Sequence, residues 1–128
     1  MNDEHLTIQL SEECVESLST DRDQFAKLLH EELSEHIDEI ESYLPRYCTE
    51  MREDFTDGST EILDCDIEVD DTGKGSLYIN FYGYVHMGCK DMCHEVDHSE
   101  QVMFRVDSIQ RTITLHFPHP PQRDPDEI

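Results

Sequence analysis

Hydrophobic and polar residues alternate along the chain with two periods, one typical of helices and one typical of strands. The first short segment, residues 5–10, alternates at every second position, which places Leu6, Ile8 and Leu10 on one side of a strand. Ser11 follows directly and is a favoured residue type for a helix N-cap. We therefore predict a strand followed by a brief helix.

A longer amphipathic helix is predicted next, because hydrophobic residues recur at steps of three and four. Thr20 and Asp23 stand at its start and resemble a capping box with Asp in place of Glu. Pro45 ends or kinks this helix, and residues 47–55 are expected to continue as a second helical piece. The hydrophobic face of the long helix consists of Phe25, Leu28, Leu29, Leu33, Ile37, Ile40 and Leu44.

After Gly58 the hydrophobic period changes to two residues, which is the period of a β-strand. Residues 61–71 and 76–86 are predicted to form a hairpin around a glycine-containing turn at residues 71–75. The inward faces of these two strands are expected to carry Leu63, Cys65, Ile67, Val69, Leu77, Ile79, Phe81 and Val85.

The last part of the domain contains a second alternating pair. Residues 87–100 interrupt the alternation and are expected to be a loop or a short helix. Residues 101–106 and 109–117 then form two strands turned around Asp107 and Ser108. The predicted core residues of this pair are Val102, Phe104, Val106, Ile109, Ile113, Leu115 and Phe117.

The order of these elements, β-α-α-β-β-β-β, favours an α+β fold. A run of helices followed by a run of strands is typical of an antiparallel sheet, here of about four to five strands, with the N-terminal helices packed on one face. Residues 1–117 are expected to form a single acidic domain. Residues 118–128 contain four of the five prolines and are expected to be a flexible tail.

The charge of the chain excludes several classes of partner. Nine Lys and Arg residues stand against 31 Asp and Glu residues, so the formal net charge is −22. Nucleic acids and anionic lipids would repel such a chain, and its expected partners are basic proteins. No apolar run approaches the roughly 20 residues of a membrane span, and the acidic start lacks the pattern of a signal peptide. We therefore expect a cytoplasmic protein whose five Cys residues are reduced.

The negative charge is unevenly distributed along the chain. Residues 1–73 contain 23 acidic and 4 basic residues, whereas residues 74–128 contain 8 acidic and 5 basic residues. A lopsided distribution favours a binding face over general solubility. Adaptation to high salt would also explain an acidic chain, but eight His and five Cys residues fit that explanation poorly.

Two rows of carboxylates are the first candidate binding residues. The long helix carries acids away from its hydrophobic face, without interleaved Lys: Glu31, Glu32, Glu35, Asp38, Glu39 and Glu41. The predicted strand 61–71 carries acids at every second position, with a repeat of roughly 6.8 Å. That spacing resembles a row of phosphates, although such rows are also common on solvated faces. The strand acids are Asp64, Asp66, Glu68 and Asp70, and they lack the loop pattern of a calcium site.

Three tyrosines are predicted to share the outer side of the sheet with the strand acids. Tyr78, Tyr82 and Tyr84 alternate with the inward residues of the strand 76–86. Tyrosine is favoured in interfaces because it offers a large contact area and a polar end, and its ring stacks on Arg. A face of acids and tyrosines would suit a basic protein, unless a dimer partner, a second layer or the tail covers the rings.

Residues 86–98 contain the types of side chain that bind zinc. Cys89, Cys93, His94 and His98 supply two thiols and two imidazoles within ten residues. In a helix the two cysteines and the two histidines would lie on neighbouring faces, so a loop is needed to close a tetrahedron. A structural zinc ion could also take a ligand from elsewhere in the chain, for example from Cys14, Cys65 or His116.

The leading hypothesis is a non-enzymatic inhibitor that mimics the charge of a nucleic acid and blocks a basic nucleic-acid-binding protein or nuclease. Antirestriction, anti-CRISPR and nuclease-immunity proteins act in this general manner, and the analogy is one of charge and size. The alternative is a zinc-stabilised adaptor or chaperone that uses residues 86–98. A third hypothesis is a thiol-dependent hydrolase with Cys89 or Cys93 as nucleophile. A homodimer remains compatible with each of the three.

Overall fold

The computed structural model describes residues 4–49, 52–86 and 94–118, and these form three α-helices and seven strands. The α-helices are α1 (Glu12–Thr20), α2 (Arg22–Glu35) and α3 (Ile37–Glu41). The strands are β1 (Glu4–Gln9), β2 (Glu53–Phe55), β3 (Glu61–Ile62), β4 (Glu68–Val69), β5 (Lys74–Val85), β6 (His94–Asp107) and β7 (Thr112–Phe117). Two 3-10 turns, Pro45–Tyr47 and Asp64–Asp66, complete the described elements.

All strands belong to one antiparallel sheet. Its order is β1-β7-β6-β5, and the free side of β5 pairs with three short strands, β2, β3 and β4. The long hairpin β5–β6 runs from the pair Lys74↔Arg105 to the pair Val85↔His94 and forms the centre of the sheet. Antiparallel pairing places each hydrophobic residue of β5 opposite an inward residue of β6, so the two strands bury one common face.

The helices cover one face of the sheet, and none of the described elements covers the other. Inward residues of β1, β5, β6 and β7 form one hydrophobic cluster with the hydrophobic faces of the helices. The helical layer contributes Val15, Leu18, Phe25, Leu29, Leu33, Ile40 and Leu44, all of them buried. The α+β fold with N-terminal helices on one face of an antiparallel sheet is therefore confirmed. We call the uncovered side of the sheet the open face.

The helical part departs from the prediction in its boundaries. Ser11 caps α1 as predicted, because its side chain accepts a hydrogen bond from the Cys14 amide. Asp21 rather than Thr20 caps α2. The predicted long helix is interrupted at His36, whose backbone dihedrals (φ −109°, ψ 23°) are not helical, and α3 then ends at Glu41. Ile40 remains in the core after this interruption.

The predicted strand over residues 61–71 is wrong as a continuous element. β3 and β4 are two residues each, and the 3-10 turn Asp64–Asp66 separates them. The buried residues here are Ile62 and Ile67, which are five positions apart and therefore cannot share a face of one regular strand. Leu63 and Cys65, predicted to face inward, are exposed instead.

Two further segments differ from the sequence prediction. Residues 47–55 do not continue the helix, because Pro45–Tyr47 is a single 3-10 turn and the chain then enters β2. The predicted loop or short helix at residues 87–100 is strand from His94 onward, and residues 87–93 lie outside the described part. Ile109, expected in the core, is 93% exposed at the β6–β7 turn.

The predicted tail begins close to the core. Pro118, its first residue, accepts a hydrogen bond through its carbonyl oxygen from the hydroxyl group of Tyr47. The remainder of the predicted tail, residues 119–128, lies outside the described residues. Among the helices that the structure describes, none has both the length and the apolar character needed to cross a membrane.

Candidate functional site

The open face of the sheet exposes three tyrosines on β5. Tyr78, Tyr82 and Tyr84 alternate with the buried residues of β5, as predicted, and expose 39%, 42% and 37% of their surface. Their rings project from a central strand whose backbone is fixed by neighbours on both sides. A rigid strand presents these large side chains with little further loss of conformational entropy on binding.

Carboxylates from three other strands surround two of these tyrosines. Asp97 on β6 lies opposite Tyr82, and Tyr84 lies between Glu95 on β6 and Asp54 on β2. Glu61 on β3 lies opposite Asn80, and its side chain is exposed on the same face. We call this surface the tyrosine–carboxylate patch and define it by Tyr82, Tyr84, Asp54, Glu61, Glu95 and Asp97.

The charges of the open face are separated along β5. Lys74 and Arg105 are a cross-strand pair at the far end of the β5–β6 hairpin. Lys74 is eight positions from Tyr82 along β5, a distance of roughly 27 Å at about 3.4 Å per residue. Near the patch, His86 Nε2 lies 3.4 Å from Oδ2 of Asp54, and the His86 ring contacts Tyr84 edge-on. The patch end of the open face therefore carries four carboxylates, and Arg52 lies at the same end, where its carbonyl oxygen accepts a hydrogen bond from the His86 amide.

A shallow recess beside Tyr82 lies within the patch. Its volume is about 330 Å³, and Glu61 and Asp97 line it from β3 and β6. Ser59, Asn80 and Ser99 add hydroxyl and amide groups to its lining. A guanidinium or ammonium group fits this chemistry, because two carboxylates and several neutral acceptors surround one opening next to an aromatic ring.

The acids predicted on the helix occupy a different side of the molecule. Glu31 and Glu35 on α2 and Asp38 and Glu39 on α3 are exposed on the helical layer, opposite the open face. Oε1 of Glu39 also lies 2.8 Å from Nδ1 of His36. Because the two layers lie back to back, one cleft of a partner cannot contact these four acids and the exposed tyrosines at the same time.

Two other acids of the predicted helix row, Glu32 and Glu41, have structural contacts. The carboxylate of Glu32 accepts hydrogen bonds from the amide and the hydroxyl group of Ser11. The carboxylate of Glu41 accepts hydrogen bonds from the amide of Gly58 and the hydroxyl group of Thr60. These two carboxylates connect helices to neighbouring segments.

The acids predicted on the strand 61–71 do not form a straight row. Asp64 and Asp66 belong to a 3-10 turn and are half-buried, whereas Glu68 is exposed on the open face opposite Ser76. Asp64 and Glu68 also line a groove with Arg22 and Lys27 of α2, so cations of the same chain lie nearby. The repeat of roughly 6.8 Å expected for these acids is lost with the strand.

Asp70, the last acid of that row, stabilises a turn. Its carboxylate accepts hydrogen bonds from the amide and hydroxyl group of Thr72 and from the amide of Lys74. These hydrogen bonds, first of all the one from the Thr72 hydroxyl group, lower the pKa of Asp70 below its usual value. The β4–β5 turn is thereby defined by an Asp side chain that caps its own loop.

A buried group of three potential ligands was not predicted from the sequence. Glu53 on β2 points to the core side of the sheet, and its side chain is fully buried. Oε2 of Glu53 lies 2.6 Å from Nε2 of His98 on β6, and the ligand atoms of Cys48, Glu53 and His98 all lie within 4.8 Å of one another. We call these three residues the Cys–Glu–His cluster.

The surroundings of the Cys–Glu–His cluster hold its side chains in place. The His98 ring stacks on Phe81 with centroids 4.9 Å apart and an interplanar angle of 11°. Glu53 lies against Gly83 so closely that a Cβ atom at Gly83 would be 1.7 Å from Oε2 of Glu53. Burial raises the pKa of the Cys48 thiol to about 12, and the nearby Glu53 carboxylate adds to this effect. The thiol of Cys48 is therefore a poor nucleophile at neutral pH.

Only two ligands of the predicted zinc site at Cys89, Cys93, His94 and His98 belong to the described residues. Cys89 and Cys93 lie outside the described residues. His94 and His98 are four positions apart on β6, which separates their Cα atoms by roughly 13 Å, too far for two ligands of one ion.

The other ligands considered for a zinc ion are dispersed. His116 is on the open face and contacts His5, whereas His98 faces the core side. Cys65 is exposed on the 3-10 turn. Cys14 is buried in α1, and burial raises its pKa to about 12.

Comparisons with known proteins return no match. No protein-family model matches the sequence. Searches of the curated proteins and of the solved structures find no significant match. The chemistry of the described surface must therefore carry any proposal about function.

Proposed function

We propose that this protein is a non-enzymatic inhibitor that binds a basic nucleic-acid-binding protein, such as a nuclease, in the place of its nucleic acid. The net charge of −22 supports this proposal, because it favours approach to cationic clefts and opposes binding to DNA or RNA. In this role it would belong to the same functional class as antirestriction, anti-CRISPR or nuclease-immunity proteins.

The observation that carries the proposal is the tyrosine–carboxylate patch. Four carboxylates from β2, β3 and β6 surround exposed tyrosines on the uncovered face of a rigid sheet. A cleft lined with Lys and Arg would meet acidic groups for its cations and aromatic rings for its guanidinium groups. Tyr78, farther along β5, extends the same aromatic row.

The patch replaces the two carboxylate rows as the proposed contact surface. The helix acids lie on the opposite layer, and the strand acids are divided between a turn, a loop cap and the edge of the sheet. Glu68 and Tyr78 remain on the open face and are expected to lie near the rim of the contact. Rim charges influence association rate more than affinity.

A capture experiment with competition tests the proposed function. The immobilised protein is incubated with native host extract, and bound proteins are eluted with increasing salt or with duplex DNA or RNA. We expect a basic protein that nucleic acid displaces at low salt, because both ligands occupy one cationic cleft. Bound proteins that resist displacement by both nucleic acids would contradict the proposed mode of binding.

A further inference from the structure

We propose that Cys48, Glu53 and His98 form a zinc-binding site inside the domain. This inference does not rest on the proposed function, because it is argued from side chains on the core side of the sheet, although His98 also lines the recess beside Tyr82. The three side chains come from the segment after the Pro45–Tyr47 turn, from β2 and from β6. A bound ion would join these segments across β5.

The ligand atoms are close enough to bind a single ion. A four-coordinate zinc ion has bonds of about 2.0–2.3 Å, which places its ligand atoms about 3.3–3.8 Å apart. The corresponding atoms of Cys48, Glu53 and His98 lie within 4.8 Å of one another, so rotamer shifts of about an ångström suffice. Glu53 and His98 are already at 2.6 Å, and an ion between them would separate them slightly.

The chemistry of the three ligands favours zinc over the hard cations. Calcium and magnesium bind carboxylates, carbonyl oxygens and water, whereas thiolate and imidazole are the ligands of zinc. A carboxylate as third ligand brings the total ligand charge to −2, which balances the charge of the ion in a buried environment.

The surrounding residues are suited to an ordered site. Stacking on Phe81 fixes the plane of the His98 ring, and the absence of a side chain at Gly83 provides the space that Glu53 occupies. The side chain of Glu53 is fully buried and that of His98 is 15% exposed, so water competes weakly for the ligand atoms. Supporting contacts of this kind orient ligands and increase metal affinity.

Cobalt substitution tests this site directly. Co²⁺ is titrated into the full-length, metal-free protein, and absorption is recorded for the thiolate-to-cobalt charge transfer and for the visible bands of a tetrahedral ion. We expect saturation at one equivalent and displacement by Zn²⁺. Cys48→Ser is expected to abolish the charge-transfer band, and His98→Gln is expected to weaken Co²⁺ binding at least tenfold.

Two control variants define the outcome. Cys65→Ser removes an exposed thiol away from the cluster and is expected to leave the spectrum unchanged. The double variant Cys89→Ser/Cys93→Ser removes the two thiols that were predicted from the sequence as zinc ligands. The proposal is upheld if the charge-transfer band requires Cys48, and it is overturned if the band persists in Cys48→Ser or if the wild-type protein gives no band.

X-ray absorption at the zinc edge provides a readout that needs no variant. The zinc-loaded wild-type protein is expected to show one sulfur at about 2.3 Å together with nitrogen and oxygen ligands at about 2.0–2.2 Å. A first shell with two sulfurs, or with none, would contradict the assignment of Cys48, Glu53 and His98.

Discussion

On the core side of β5, the missing side chain of Gly83 determines where the Glu53 side chain packs. The backbone at Gly83 does not require glycine, but the Glu53 side chain fills the volume that a Cβ atom would take. A Cβ atom at Gly83 would displace a carboxylate that is buried and lies 2.6 Å from the His98 ring. The close approach of β2 to β5 therefore depends on the absence of a side chain at Gly83.

Gly83→Ala is expected to lower the free energy of unfolding by about 1–3 kcal/mol through overpacking. Urea denaturation of Gly83→Ala, Glu53→Ala and the double variant measures the effect. In the Glu53→Ala background the Gly83→Ala substitution should cost much less, because the clashing group is gone. Additive costs would contradict a direct clash between these two residues.

The cysteines are expected to differ in reactivity because burial raises the pKa values of Cys14 and Cys48 to about 12. In the metal-free protein at pH 8 both should react with iodoacetamide at least about a hundredfold more slowly than the exposed Cys65, and their rates should increase about tenfold per pH unit up to pH 11. Peptide-resolved mass spectrometry checks each site. Rapid labelling of Cys48 near neutral pH would indicate an activated thiol and contradict the raised pKa.

At the scale of the elements, the helix acids divide into free and structural carboxylates. Glu31 and Glu32 are adjacent on α2, yet Glu31 is exposed while Glu32 accepts two hydrogen bonds from Ser11 at the start of α1. Glu32 therefore connects the beginning of α1 to the last turn of α2. The pair offers a matched comparison within one turn of one helix.

Glu32→Ala is expected to destabilise the protein by about 1–2 kcal/mol, because the α1 N-terminus loses its hydrogen-bond acceptor. Glu31→Ala should change stability by no more than a few tenths of a kcal/mol, and in the stabilising direction, since it removes repulsion from Glu35. Thermal and urea unfolding of both variants measure the difference. Equal effects would contradict the structural role of Glu32.

The elements that could be predicted from sequence are those with an uninterrupted hydrophobic period. β1, β5, β7 and the hydrophobic face of α2 follow their patterns, and their predicted core residues are buried with few exceptions. The segment 61–71 was predicted wrongly, because the alternation of Leu63, Cys65, Ile67 and Val69 has the period of a strand, whereas the buried residues are Ile62 and Ile67. The first half of β6 was not predicted as a strand. Its inward side carries His94, His98 and Glu100, so the hydrophobic alternation there is weak.

The candidate sites were harder to predict than the fold because they depend on strand register. Tyr82 and Tyr84 could be placed on the outer face from alternation alone, but their acidic neighbours come from three separate strands. Cys48 and Glu53 lie at least 45 positions before His98, and only the pairing of β2 and β6 with β5 brings them together. Spacing along the sequence therefore favoured Cys89 and Cys93 as ligands beside His98, and not Cys48 and Glu53.

At the scale of the whole molecule, the negative charge covers both layers of the domain. The count of charges along the sequence indicated that the binding face lies in the first 73 residues. Glu95 and Asp97 of the patch, however, belong to the less acidic part of the chain. The total charge supports attraction to any basic protein, whereas a specific inhibitor requires a defined surface. Affinity should therefore depend on where carboxylates are removed, and not only on how many.

Three neutralised variants with equal change in charge test this claim most directly. The patch variant is Asp54→Asn/Glu61→Gln/Glu95→Gln/Asp97→Asn. The helix variant is Glu31→Gln/Glu35→Gln/Asp38→Asn/Glu39→Gln. The strand variant is Asp64→Asn/Asp66→Asn/Glu68→Gln/Asp70→Asn. Each loses four negative charges, and circular dichroism checks that each remains folded.

The decisive measurement is the affinity of each variant for the captured basic protein at fixed ionic strength, by surface plasmon resonance. The patch variant is expected to bind at least about a hundredfold more weakly than the wild-type protein, a loss of about 3 kcal/mol. The helix and strand variants should stay within about tenfold of the wild type, because they keep all four patch carboxylates and lose mainly long-range attraction and, at Glu68, a rim charge. Equal losses in all three, or an unaffected patch variant, would contradict the tyrosine–carboxylate patch as the binding surface.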